Sequence, residues 1–505
     1  MKRFLAILLA CLLAMSVAVA EGDDKTVIKM LMPHTSVDLN EDYVAKLMEE
    51  ATGFKVEYYQ LPAENADQAL ALEMASGTDY DLVRLSKDQY NLLKSQGALR
   101  ALNDQLDAYP IVKEKVYDLG WSFVTEEDGR ILGIPAVSDG TYTGGLAYRV
   151  DMFEEYGWEL PETVEDFYAL LKEIKETTGL IPLTGKTKIV DVIASGFGLD
   201  YNFVIGEDGT VTSFLRQEGM KDYLAFMNQL YKEELIDVDW PVNTTSSIAN
   251  KVTSEQVVIA VGGLGCSNNW TPALTESTGH DVIFENILPL TDKNGVKHIS
   301  VTASIDHVTV MPANVTDERA DYLMSMVAAR LEDETYWLMN DGIEGVHYTK
   351  DEAGLPTPIQ PQFGDDMSNG NYFQIGNNKD VHAICWLARC RKNAIQYANF
   401  EDAQIKAAPY GLLVNDLSFA TGDAYTKYNA SLKTMYEDFF MAVMAGTKSV
   451  DDLDAFITEW EEAGGLEVEE CLTEWYKANT KIVEATRELP AENLYTKIYG
   501  QFVAK

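Results

Sequence analysis

Apolar and polar positions alternate in two different periods along this chain, and the order of those periods predicts its architecture. Thr26–Met32 is a mostly apolar run of strand length. In Asn40–Thr52 the side chains of Tyr43, Leu47 and Met48 recur at helical spacing, and Gly53 supplies a stop. Phe54–Tyr59 returns to strand, so the opening reads β-α-β, which implies a parallel sheet with covering helices. Gln68–Ala75 is helical and Asp81–Leu85 is a third strand. The following loop, Ser86–Asp88, hangs from that strand's carboxyl end, where open α/β sheets bind ligands.

A strand at Ile131–Pro135, a small-residue stretch Ala136–Gly145 and a strand at Leu146–Arg149 come next. That order lets the chain leave one lobe, cross a gap and begin another. Thr163 and Asp166 have the spacing of a capping box, and Phe167, Leu170, Leu171 and Ile174 give the helix behind it one apolar face. Gly219–Glu233 repeats the pattern with Tyr223, Phe226, Met227 and Leu230. Val257–Val261 is a buried strand running into a Gly-rich loop that ends at Trp270. His298–Thr302 and His307–Pro312 read as strands, and Asp317–Leu331 as a helix. Past Gly345 the chain is mostly helical, with a second capping box at Ser449–Asp452.

The N-terminus belongs to export. Lys2 and Arg3 precede an apolar run from Phe4 to Leu13, and Ala18-Val19-Ala20 before Glu21 is a small-x-small cleavage pattern, so residues 1–20 read as a signal peptide. A competing reading, lipidation at Cys11, would leave only Phe4 to Ala10 as the hydrophobic region, at the low edge of workable length. What remains of the 505 residues is too long for one core, so two lobes are expected. A net charge of −40 repels nucleic acid and anionic lipid and suits a neutral or cationic partner. Cys266, Cys385, Cys390 and Cys471 form no CxxC, so their redox state stays open and no zinc site is indicated.

Catalytic motifs do not hold up. Gly179–Thr187 is one residue too long for a phosphate loop and follows a helix, not a strand. The six histidines lack ligand spacing, and neither Ser195 nor Ser267 sits in a G-x-S-x-G elbow. Paired carboxylates for a secreted glycoside hydrolase stay possible in so acidic a chain, though abundance singles out no pair. No metal or other cofactor is expected.

Several segments carry a family resemblance: Leu72–Val83, Gly97–Asn103, Asp128–Pro135, Tyr148–Phe153 with Gly157 and Pro161, Leu230–Asp237 and Gly342–Tyr348. In this order the chain resembles the extracellular solute-binding proteins of family 1, in the long branch described as LipO-like. The resemblance implies an α/β, periplasmic-binding-protein-like type II fold, with two lobes, a three-crossing hinge and a mostly helical C-terminal region. Lobe one would be residues 25–140 plus 303–345, lobe two 146–300 plus 349–505, with crossings near 136–145, 302–306 and 345–348. It further implies a non-enzymatic, monomeric receptor that closes on a sugar and delivers it to the permease subunits of an ABC importer. A peptide receptor or sensor-associated receptor of the same fold is the alternative.

Sugar recognition needs an aromatic face and planar polar groups. The expected ligand-binding residues are His34, Thr35, Ser86 and Asp88 from lobe one, and Asp139 and Tyr142 from the first crossing. Ser267, Asn269 and Trp270 from the Gly-rich loop and Trp386 from the helical region complete the set, with Trp270 as the main stacking residue. Tyr372 and Phe373 could add contacts, and the direction of Arg84 is left open by strand alternation.

Overall fold

A computed structural model describes residues 26–75, 79–142, 144–199, 203–262, 266–301 and 303–492. The expected signal peptide and the side chains of Asp139 and Ser267 lie outside the described residues. Nine strands build two sheets: β1 Ile28–Met32, β2 Val56–Gln60, β3 Leu82–Leu85, β4 Ile134–Asp139, β5 Leu146–Arg149, β6 Ile181–Thr184, β7 Val257–Val261, β8 Phe284–Ile287 and β9 Ala303–Val310. The first sheet runs β2-β1-β3-β9-β4 and the second β8-β5-β7-β6. β1 is parallel to β2 and to β3, as the β-α-β opening requires. β9 arrives from far along the chain and inserts antiparallel between β3 and β4.

Local signals place the covering helices. Asp42 caps Tyr43–Thr52 by accepting from the Val44 amide, and Gly53 ends it at φ 75°. Thr163 and Asp166 form the reciprocal capping box of Val164–Thr178, which buries Phe167, Leu170, Leu171 and Ile174. Burying four such side chains contributes roughly 1.5–3 kcal/mol each before conformational entropy is charged against it.

Each sheet has its own core. The expectation that residues 349–505 all belong with the second lobe does not match the packing. Phe363, Met367, Phe373, Cys385, Ala403 and Leu412 lie in the core of the first sheet. Leu432, Phe440, Phe456, Trp460 and Leu472 lie in that of the second. Residues 345–348, expected to cross, instead stay on the first lobe: His347 is fully buried, its ring 5.5 Å from that of Tyr43. The chain crosses at 140–145 and 288–301, then at 415–421, where Val414 packs in the first core and Leu417 in the second. After Asn479 it returns, and Leu489 of helix Thr480–Glu492 rejoins the first core.

The third crossing is pinned from lobe one. Lys87 opens helix Lys87–Ser95 and donates to the carbonyls of Ser418 at 3.2 Å and Ala420 at 3.3 Å. A cation at a helix N-terminus opposes the macrodipole, so these two carbonyls supply its compensation. Lys87→Ala is expected to speed amide hydrogen exchange across 415–421, with protection of β1 and β9 unchanged, as read by mass spectrometry.

Candidate ligand-binding cleft

The strand directions define the gap. β4 ends at Asp139 and the crossing delivers the chain to Leu146, the first residue of β5. Leu146 is opposite Val261, the last residue of β7, and β6 runs parallel to β7. The carboxyl ends of β1 and β3 in one sheet and of β6 and β7 in the other are thus turned toward the connection between the lobes. Ligands of open α/β sheets bind at such ends.

On the first lobe this edge carries a polar cluster. β9 shifts register between Ile305 and His307, and the bulge turns Asp306 outward while His307 stays buried. The Asp306 side chain is 59% exposed. His307 Nδ1 lies 2.7 Å from Asp306 Oδ2 and 2.8 Å from Arg84 Nη2. Arg84, whose direction alternation left open, points into this cluster and donates to the carbonyls of Asn371 at 3.3 Å and Tyr372 at 3.1 Å. His382 contributes to the electrostatic field on Asp306 and lies 2.8 Å from the Tyr336 hydroxyl and 3.1 Å from Asn377 Nδ2. One turn later on the same helix, His382–Arg391, Trp386 is 36% exposed. His382 and Trp386 are four residues apart and so share a helix face.

Charge follows from these contacts. The bond to His307 holds the Asp306 carboxyl below its ordinary value, against the opposing effect of burial. Burial and the neighbouring Arg84 charge push His307 down to about 4, so its ring is neutral at pH 7. The cluster therefore presents a carboxylate acceptor backed by donors.

A second recess lies at the hinge. A cavity of about 320 Å³ is lined by Thr141, Tyr142 and Gly144 of the first crossing, Asp191 and Val192 of helix Asp191–Ser195, and Pro289, His298, Ser300 and Val301 of the second crossing. Tyr142 is only 7% exposed, and its hydroxyl has no partner among the described residues. Its carbonyl accepts from the Gln404 side-chain amide.

The remaining expected residues divide. His34 is exposed after β1, and Thr35 is half-buried with its amide donating to Gln60 Oε1 at 3.0 Å. Ser86 is the N-cap of helix Lys87–Ser95, so its hydroxyl already accepts from the Gln89 amide; Asp88 is exposed in the first turn. Asn269 is exposed. Trp270 is a correction. Helix Cys266–Thr278 begins where a loop was expected, and it buries Trp270 to 4% exposure against Phe284, ring centroids 5.5 Å apart. It shares a core with Leu274, Val252 and Phe284, so its faces are not offered to a ligand. Sequence reasoning passed over Asp306, His382 and Asp191. Only the break in strand alternation at Asp306 hinted at the first of them.

Comparison with known proteins places the fold. Residues 37–271 match the family model described as bacterial extracellular solute-binding protein. Lipoprotein LipO of Bacillus subtilis (strain 168) is 22% identical over 95% of this chain and 99% of its own. The alginate-binding protein AlgQ2, solved without calcium ion, superposes with a TM-score of 0.66 at 19% identity, over 90% of this chain and 99% of its own. The substrate-binding protein FusA of S. pneumoniae, solved in complex with kestose, gives 0.65 at 15% identity over the same shares.

Two expectations follow from the site. Trp270→Ala should lower folding stability by roughly 3–5 kcal/mol, a core truncation measurable by urea denaturation. Between pH 6.5 and 4 the unfolded chain takes up a proton that buried His307 refuses, so stability falls as pH drops through that window. His307→Gln should flatten the pH dependence of Tm there. With two lobes, the strand order above and these superpositions, the chain has the type II periplasmic-binding fold, and its residues 37–271 carry the match to the bacterial extracellular solute-binding protein family.

Proposed function

We propose that the protein is the extracytoplasmic receptor of an ABC importer and captures an oligosaccharide by closure of its lobes. The observation that carries this reading is the exposed indole of Trp386 one helical turn from His382, which contributes to the field on the Asp306 carboxylate. An aromatic face takes the C–H side of a pyranose, and a carboxylate with planar donors takes its hydroxyls. Sugars named for two structural relatives, alginate and kestose, support the ligand class. Trp386 thereby takes the stacking role expected of Trp270.

The sugar favours the closed state because it touches both lobes, and only such differential contact shifts the equilibrium. Membrane permease subunits are the partners to which the closed form is presented, and the receptor acts as a monomer. Export by residues 1–20 delivers it outside the membrane. No helix among the described residues is long and apolar enough to cross a membrane. The protein binds and does not turn over its ligand.

A thermal-shift screen of oligosaccharides and peptides tests the class, since a ligand of the native state raises Tm. The reading expects a shift with a sugar and none with peptides. Trp386→Ala should weaken the sugar identified by at least tenfold in calorimetry with Tm of the free protein little changed. An unchanged Kd, or fragmentation of the sugar on incubation, would defeat the proposal.

A further inference from the structure

The hinge cavity has a chemistry of its own, separate from the exposed indole of Trp386. The Asp191 carboxyl lines the cavity while the residue itself is exposed, and desolvation raises it with no donor or cation offsetting the effect. Tyr142 brings a phenol whose hydroxyl is buried and unpartnered. His298 has Nε2 3.4 Å from Asp292 Oδ2, which leaves Nδ1 buried and without a partner among the described residues. With Nε2–H donating to Asp292, Nδ1 is an acceptor. Buried polar groups are normally satisfied, and two unsatisfied ones around one cavity, with the Asp191 carboxyl on its wall, call for an occupant.

That occupant must offer hydroxyl donors to Asp191 and His298 and an acceptor to Tyr142. A neutral polyol does both with each hydroxyl, whereas a uronate carboxylate is acceptor-only and would face two acceptors. The volume, about 320 Å³, is at the low end for ligand pockets, enough for one ring with a few waters but not for a chain. Resting on the sugar-receptor reading, we propose that the hinge cavity is the subsite for one uncharged pyranose ring of the oligosaccharide, held by its hydroxyls between Asp191, Tyr142 and His298.

The position gives this ring a second effect. The walls come from both crossings and from helix Asp191–Ser195 of the second lobe, so any change of hinge angle changes the spacing of the three groups. A ring that bonds all three binds one hinge angle better than others and so biases closure. Specificity for an uncharged ring and the closing motion are then set at the same place.

The test uses the full chain and calorimetry with maltotriose, kestose, chitotriose and trigalacturonic acid, on wild type, Asp191→Asn, Tyr142→Phe and Trp386→Ala. The proposal expects at least one neutral trisaccharide to bind wild type and trigalacturonic acid not to bind. It expects Asp191→Asn and Tyr142→Phe each to weaken the neutral sugar at least tenfold. The Tm of free Asp191→Asn should equal or exceed that of wild type, because a desolvated carboxylate without a partner is removed. Wild-type affinity in both hinge variants, with Trp386→Ala still impaired, overturns the hinge subsite and leaves the receptor reading standing. Binding of trigalacturonic acid as tight as that of the neutral sugars overturns the uncharged ring. If no sugar binds wild type, the receptor reading falls and takes the subsite with it.

Discussion

The pairing of β9 with β3 and β4 is the interaction on which the rest of this structure depends. Residues 303–310 close the first sheet only after the chain has built most of the second lobe, so neither lobe is an uninterrupted stretch of sequence. The same pairing brings the end of β4 beside the start of β9, Asp139 opposite Ala303, and thereby lays the first two crossings side by side. Its bulge sends Asp306 toward solvent and His307 into the interior. Fold, hinge and site chemistry are fixed by one ladder.

Around that ladder the polar groups are handled in two ways. In the second lobe Asp237 is almost fully buried and accepts from Thr184 at 2.6 Å, Asn243 at 2.8 Å and Lys251 at 2.7 Å, a carboxylate with its demands met. Such a network serves structure. At the hinge Tyr142 and His298 keep unmet demands, and Asp191 is raised by burial alone. Leaving buried polar groups unpaired costs about 1–3 kcal/mol each, a cost that a binding site recovers when its ligand arrives.

The legible part of the sequence was what local rules decide. The β-α-β opening, the capping boxes at Thr163 and Ser449 and the glycine stop at Gly53 depend on neighbours in sequence, and these are present. Trp270 was misplaced because the glycines at 262–265 suggested a loop lasting to the tryptophan. The helix begins at Cys266, and Trp270 with Leu274 forms its buried face. Gly345 has the look of a hinge, yet the packing changes core some seventy residues later, over 415–421, where Leu417 and Ala420 join the second core while Phe419 still packs in the first. Asp306 and Asp191 acquire meaning only through partners far along the chain, which periodicity cannot supply.

The proposed receptor closes its two lobes on a sugar without altering it. Small-angle X-ray scattering of the full chain, with and without a saturating oligosaccharide found by the binding screen, tests this most directly. The account predicts a smaller radius of gyration in the sugar's presence, and recovery of the sugar intact after dilution. A bound sugar with no change in radius, or release of shorter fragments, would contradict it.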